Sequence, residues 1–509
     1  MKQSVMTTES LLEIINNQLE IINKQAKEIA YLKEKLDYFM RQKFDSSSEK
    51  VVSTEPTPEE KATSDIEVVE ETEDEKIKPL RKKRGNKKTP PESLPHIRVE
   101  HDISEEEKVC SCGCEMKRIR EIVSQQYDII PATFRVIDNV RFVYACSCGC
   151  GEKVITTPLT PQVLPKHQVT ASFLATIAVQ KFEDALPLDR QVKIYKNRFG
   201  VDFTTTTFAQ WMIKTSELRL ATLVERLSTI QLLSDYIQAD ETTLQVLNEE
   251  NKKAKSKSYI WLKASEGMRP VVTMHYSPNR SGDTAEVLFE GFSGYLQTDG
   301  YAGYNVVANK EEVTQLGCWA HARRKFADII KSGVSDAKSK HYAKELVAQV
   351  AKLYKIEEKM KDDPPDVKKA IREKESSIIL DQIKLWLDTN FIIAQTLGGA
   401  IAKAFVYLSN QFVKLSVYLE DGRLSIDNNK AERHVRPIAL GRKNWLFANS
   451  TKGATSLCNW YTVIETAKAN CLDPYAYLCH ILTLLPIYEQ DGKDIEDLLP
   501  WNVELDKSC

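Results

Sequence analysis

Between residues 234 and 335 the hydrophobic period changes repeatedly, and the order of those changes restricts the fold more than any other feature of the chain. "SDYIQADETTLQVL", "KSYIWLKAS" and "RPVVTMHYS" read as three strands separated by turns. A short helix from Asp283 to Leu288 follows, and "GYLQTDGYAGYN" is a fourth strand that closes on Asp299. "VTQLGCWAHARRKFADII" is a fifth strand running into a helix. Such an order builds an α/β fold in which strand ends carry side chains to one edge of a sheet. Asp240, near the end of the first strand, and Asp299 are thus placed for a divalent-metal site.

This is the element order of a ribonuclease H-like domain. Two-metal phosphoryl chemistry calls for a third carboxylate. Residues 336–419 are charged and helical and offer none in a comparable setting, so they read as an insertion between core segments 231–335 and 420–448. The third carboxylate comes from "LEDGRLSIDNNKAERHVRPIALGRKNWLFA". There Asp427, Asn428 or Asn429 caps a helix whose first turn carries Glu432, with Arg433 and Arg436 beside it. A carboxylate lined by arginines suits a metal and a phosphodiester together. A capping box with solvated ion pairs accounts for the same residues. Residues 449–509 read as a C-terminal helical segment.

The pentapeptide "CSCGC" occurs at 110–114 and again at 146–150, and the two copies hold six of eleven cysteines. In a reducing compartment such spacing belongs to one structural Zn²⁺ in a small module, residues 101–160. Six thiolates compete for four places. Cys110 with Cys114 and Cys146 with Cys150 form C-x3-C pairs, while Cys112 and Cys148 give tighter alternatives; a redox or incidental cluster is the competing reading.

The net charge of −2 conceals segregation. Residues 55–75 carry ten acids and one lysine, and residues 76–88 carry eight basic residues and no acid. The span 45–100 therefore reads as a disordered charged linker, its basic block either touching phosphates or simply solvated. Before it, residues 1–44 read as a coiled coil. Ile15, Ile22, Ile29 and Leu36 occupy a positions and Leu11, Leu32 and Phe39 d positions, a pattern for a dimer, while Leu12, Leu19 and Ala26 widen the stripe enough for a single amphipathic helix packed on the rest of the chain. Residues 161–230 are helical: Leu188, Val192 and Tyr195 share a face ended at Gly200, and "DFTTTTFAQWM" starts the next helix. A DNA-reading helix-turn-helix and a plain helical hairpin both fit. No eighteen-residue apolar run and no signal-peptide pattern occur, so the expectation is a cytoplasmic chain that does not enter a membrane.

Taken together, "KFEDALPLDRQ", "ADET", "GYLQTDGYAGYN", "CWAHARRKF", "LEDGRLSIDNNKAERHVRPIALGRKNWLF" and "ETAKANCLDPYAYL" resemble the DDE transposases of insertion sequence sixty-six, over nearly the whole chain. The resemblance implies that Asp240, Asp299 and Glu432 are the catalytic triad and hold two Mg²⁺ (or Mn²⁺) ions. It implies hydrolysis at a transposon end and attack of the freed 3′-OH on target DNA, by a homodimer or higher oligomer, with accessory proteins of the same element as further partners. On the helix after the fifth strand Arg323, Arg324 and Lys325 are placed to hold DNA phosphates, with Arg433 and Arg436, or to line a solvated face, and His321 either orients a phosphate or water or is structural. Two departures stand out: the zinc pairs of the family are usually C-x2-C, and Ala185 replaces a frequent histidine. A zinc-containing DNA-binding regulator and a nuclease without strand transfer are the alternatives.

Overall fold

The computed structural model describes residues 111, 133–145, 154–333 and 336–505, all within the unit Lys88–Cys509. The coiled-coil segment, the charged linker and the six clustered cysteines lie outside the described residues. A short antiparallel hairpin, β1 (Val143–Ala145) and β2 (Val154–Thr156), comes first.

Four helices follow: α1 (Ala171–Phe182), α2 (Leu188–Phe199), α3 (Thr205–Thr215) and α4 (Ala221–Leu232). Their ends obey local chemistry. The Thr170 hydroxyl accepts the Phe173 N–H, Gly200 terminates α2 at φ 71°, and the Thr204 hydroxyl accepts the Thr207 N–H at 3.0 Å. Tyr195 of α2 and Phe208 and Trp211 of α3 are buried in an aromatic cluster with Phe134, Phe173 and Phe203. The apolar faces of α2 and α3 are spent on this core, and Thr206, Gln210 and Lys214 remain exposed on the opposite face of α3.

The predicted succession of strands forms a six-stranded mixed sheet. Its members are β3 (Tyr236–Asn248), β4 (Lys257–Ser265), β5 (Val271–Ser277), β6 (Gly294–Gln297) and β7 (Val313–Leu316), in the order β5–β4–β3–β6–β7, with β8 (Ala448–Ser450) also paired to β3. The first three strands are antiparallel, and β6 and β7 run parallel to β3. The parallel ladder between β3 and β6 covers only Tyr236–Gln238, whereas β3 pairs with β4 from Ile237 to Gln245 and with β8 at Val246 and Asn248. Asp240 therefore sits in mid-strand, just past that ladder, and not near the strand end that the sequence suggested. Gly294 opens β6 at φ 121°, where an added Cβ would stand 2.4 Å from the Asp235 carbonyl oxygen. Only glycine allows this close approach.

Helices cover both faces of the sheet. α5 (Gly282–Leu288), α6 (Asn305–Ala308) and α7 (Trp319–Lys331) connect or follow the strands. α8 (Ala337–Lys359), α9 (Pro365–Ile371), α10 (Ser377–Leu397) and α11 (Gly399–Ser416) build the inserted helices, whose core packs against α7. Buried Arg372 joins this layer to the next segment, with Nη2 2.7 Å from Glu357 and 2.9 Å from the Leu424 carbonyl. α12 (Asn429–Trp445), α13 (Thr451–Ala469) and α14 (Pro474–Asp491) complete the chain. α13 lies against edge strand β5, where the Thr462 and Thr466 hydroxyls accept the Met274 and Val272 N–H groups at 2.9 and 3.1 Å. A covered edge has no backbone left for pairing with another chain. Among the described residues no helix is long and apolar enough to cross a membrane.

Candidate active site

β3, the turn after β6, and the start of α12 each deliver one of the carboxylates singled out in the sequence. Asp240 is pushed up to about 7, first by burial, then by Glu241, with Asp299 and Glu432 adding to it. The three side chains thus share one electrostatic neighbourhood. Asp240 Oδ1 accepts the Glu241 N–H at 2.8 Å, and Asp299 Oδ1 accepts the Tyr301 N–H at 2.8 Å. The Tyr407 hydroxyl of α11 donates to the Asp299 carbonyl at 2.6 Å, so an inserted helix steadies this turn.

Glu241 is a fourth carboxylate that the sequence reading passed over. It is buried, paired with Arg280, and accepts the Tyr304 hydroxyl at 2.7 Å. Burial raises its pKa, and the Tyr304 bond opposes the rise. Its place directly after Asp240 in "ADET" was the available signal, although strand alternation sends neighbouring side chains to opposite faces.

α7 supplies the other wall. Arg324 reaches Glu432 Oε2 with Nη2 and His321 Nε2 with Nη1, each at 3.4 Å, and His321 Nδ1 lies 3.5 Å from Glu432 Oε1. A guanidinium only donates, so His321 Nε2 accepts and the neutral ring carries its proton on Nδ1, toward Glu432. Burial lowers the pKa of His321 and favours this neutral form. Lys325 sits 4.4 Å from the centre of the Tyr407 ring, while Arg433 and Arg436 are exposed. The charge of Arg323 acts on Tyr354 of α8. Thus His321 faces a carboxylate, and of the six residues assigned to DNA, Arg324, Lys325, Arg433 and Arg436 are exposed.

Two nearby acids are committed elsewhere. Asp427 Oδ2 accepts the Tyr354 hydroxyl at 2.8 Å and Asn429 Nδ2 at 2.7 Å, and Glu420 lies 3.5 Å from the Tyr295 hydroxyl. Asn428 occupies the N-cap position of α12 without capping through its side chain. Its Nδ2 instead donates to the Ala239 carbonyl at 2.9 Å, fastening the helix beside Asp240.

Two donor sets are relevant to a metal. Cys318, His321 and Glu432 offer atoms within 4.8 Å of one another. Burial pushes the Cys318 thiol up to about 12, its Sγ accepts the Asn428 N–H at 3.2 Å, and Arg324 fixes the proton of His321 on the nitrogen facing Glu432. Cys318 and His321 are thus engaged as hydrogen-bond partners, which leaves the Glu432 carboxylate as the ligand type of this set. The oxygen set of Asp240, Asp299 and Glu432 is of the hard type taken by Mg²⁺ or Mn²⁺. With Glu241 included, four carboxylates gather here; among the described residues Arg280 pairs with Glu241 and Arg324 with Glu432, and Glu432 Oε1 is buried without a hydrogen bond. An uncompensated cluster of this kind fits divalent cations. Ala185, where the resemblance implied a histidine, meets α12 through its backbone: Asn444 Nδ2 donates to its carbonyl at 2.9 Å, so the contact does not depend on the side chain.

Three family models cover most of the chain. Residues 166–456 match the Transposase IS66 family, residues 107–149 the zinc-finger binding domain of transposase IS66, and residues 462–501 the IS66 C-terminal element. The zinc-finger match contains Cys110 to Cys148 and ends one residue before Cys150. Among curated proteins, uncharacterized protein y4jD of Sinorhizobium fredii is 31% identical over 432 residues, covering 82% of each chain. Uncharacterized protein y4qI of the same organism is 33% identical over 435 residues, covering 80% of this chain and 76% of its own. The matched models run from the cysteine clusters through the carboxylate-bearing strands to the C-terminal helices, and the chain belongs to the Transposase IS66 family.

Proposed function

We propose that the protein is a DDE-type transposase that binds the ends of its element, hydrolyses a phosphodiester there and joins the freed 3′-OH to target DNA. The observation that carries this reading is the shared neighbourhood of Asp240, Asp299 and Glu432, in which Asp240 feels both other carboxylates. The strand order, antiparallel for β5–β4–β3 and parallel for β3–β6–β7, supports a ribonuclease H-like core interrupted by α8–α11.

Asp240, Asp299 and Glu432 would hold two Mg²⁺ or Mn²⁺ ions, which when bound supply Lewis-acid activation of a water or 3′-OH and stabilise the charge on the phosphorane. Arg324 reaches Glu432 Oε2 and His321 stands beside Oε1, so this pair would hold the orientation of the carboxylate. Arg324, exposed beside Glu432, is the residue to meet a DNA phosphate, with Arg433 and Arg436 extending the basic rim. Thr206, Gln210 and Lys214 on the outer face of α3 are available to DNA as well. The cysteine module would carry one structural Zn²⁺, and the N-terminal segment would join two copies.

The test is incubation of the purified chain with labelled element ends and Mg²⁺. Asp240→Asn, Asp299→Asn and Glu432→Gln should each abolish cleavage and strand transfer by at least about a thousandfold while end binding persists, since each removes charge that retains the ions. Near-normal cleavage by Glu432→Gln would reassign the third carboxylate, and cleavage without joined product would leave a nuclease.

A further inference from the structure

We infer that Gln238 and Gln297, with Tyr236, form a buried positioning set that fixes the three carboxylates relative to one another; the inference rests on the reading that Asp240, Asp299 and Glu432 share one metal site. Gln238 lies two residues before Asp240 on β3, and Gln297 two residues before Asp299 after β6. The strand register places the two glutamines directly opposite each other. Both are essentially inaccessible, at 1% and 0% exposure.

Their amides are fully engaged. Gln238 Nε2 reaches Gln297 Oε1 at 2.7 Å and the Tyr236 hydroxyl at 2.8 Å, and the Tyr236 hydroxyl donates to Gln297 Oε1 at 2.5 Å. The outward bonds all run to the segment that launches α12 or to the end of β7. Gln238 Nε2 contacts the Asp427 carbonyl at 3.2 Å, and its Oε1 accepts the Ala431 N–H at 3.2 Å. Gln297 Nε2 donates to the Ser425 carbonyl at 2.9 Å and the Gly317 carbonyl at 3.0 Å, while Ser425 N–H donates to the Tyr236 hydroxyl at 3.2 Å. Ala431 is the residue before Glu432, so one pair of amides touches the chain next to all three carboxylates.

Packing does not require this arrangement. Aliphatic side chains would fill a sheet interior without the desolvation cost of two amides, so a buried network is useful where a specific geometry must be held. Such a need exists here. The parallel ladder from β3 to β6 is only three residues long, and Glu432 arrives from a segment separated from β7 by all four inserted helices. The short ladder and the chain connectivity leave the spacing of the carboxylates to side-chain bonds; Asn428 ties α12 to β3 and Tyr407 steadies the Asp299 turn, and the amide pair links all three segments.

The experiment measures Mn²⁺ binding to the full chain by electron paramagnetic resonance of the free ion, alongside thermal melting, end binding and end cleavage at saturating Mn²⁺. Gln297→Met and Gln238→Met keep the length of the side chain and remove its bonds. Each is expected to bind end DNA normally, to lose roughly 10- to 100-fold in Mn²⁺ affinity, and to lose on the order of 100-fold in cleavage rate, as partners that orient metal ligands and reacting groups do. Tyr236→Phe, which keeps the ring, is the milder second variant and should shift Mn²⁺ affinity in the same direction even if a methionine variant fails to fold. A lowered melting temperature with Mn²⁺ affinity and saturated rate within twofold of the parent would overturn the inference, leaving a network that holds only the fold. Asp240→Asn in the same assay separates the two levels. If it binds Mn²⁺ as the parent does, the carboxylate assignment fails and the inference with it; if it loses binding while Gln297→Met and Tyr236→Phe do not, only the positioning role is wrong.

Discussion

Asp240 shows how one side chain records its surroundings. It titrates at about 7 in the native chain against 3.8 ordinarily, chiefly because it is buried and then because other carboxylates crowd it. Between those two values the native chain holds a proton that the unfolded chain has released. Stability of the metal-free protein therefore falls as pH rises from about 4 to about 7 and is level above that. Melting curves without added Mg²⁺ or Mn²⁺ from pH 5 to 8 should show a declining Tm, and the decline should be smaller in Asp240→Asn, which lacks the group. Added Mn²⁺ should raise Tm more at pH 8 than at pH 5, because at pH 8 no proton has to be displaced. A parent and variant with the same pH profile would mean that Asp240 is not the titrating group. Arg324 offers a second residue-scale test. Arg324→Ala should weaken end binding across sequences and reduce the dependence of log affinity on log salt by about one unit, leaving cleavage detectable at high protein concentration. An unchanged salt slope would confine Arg324 to its bonds with Glu432 and His321.

Among the elements, β6 is the most demanding to place. It is four residues long, central in the sheet, and begins where Gly294 brings its Cα against Asp235. Gly294→Ala would set a methyl 2.4 Å from a carbonyl oxygen in a backbone conformation closed to alanine. The expected loss is about 2–4 kcal/mol by urea denaturation, from strain and overpacking together. Gly333 has nothing within 4 Å of an added Cβ, and Gly333→Ala should change stability by less than about 1 kcal/mol. Equal losses at both positions would contradict the close approach. α12 is placed differently, by bonds from its first turn to β3 and from its end to the Ala185 carbonyl. It is therefore a helix whose position depends on partners far away in sequence.

At the scale of the whole molecule, the carboxylate-bearing sheet, the inserted helices and the C-terminal helices are interdependent. α11 steadies the Asp299 turn, Arg372 braces the segment before α12, and α13 closes the edge of β5. Residues 107–149 match a zinc-finger domain, which calls for zinc. Elemental analysis of the purified chain should give about one zinc per copy, and chelation should unfold that module because thiolate ligation is most of its folding energy. Zinc-free protein with native spectroscopic properties would remove this role from the cysteine clusters.

The sequence by itself determined what local rules govern. Strand succession from Tyr236 to Leu316, the stop at Gly200, the Thr204 cap and the α5 boundaries follow from side-chain period, glycine freedom and hydroxyl capping, all of which act within a few residues. Asp240, Asp299 and Glu432 were legible as candidates because each occupies a distinctive local setting. The tertiary structure decided everything that depends on partners. Asp240 lies in mid-strand because β3 stays paired with β4 as far as Gln245 and then meets β8, some two hundred residues later, at Val246. Glutamines read as surface residues until the register sets Gln238 against Gln297 and supplies their bonds. Ser456, Thr462 and Glu465 make α13 look amphipathic in sequence, yet all are buried, since the helix lies between a strand edge and other helices. Burial of a polar group is favourable only with its partner in place, and that partner is named by the fold, not by the neighbouring residues.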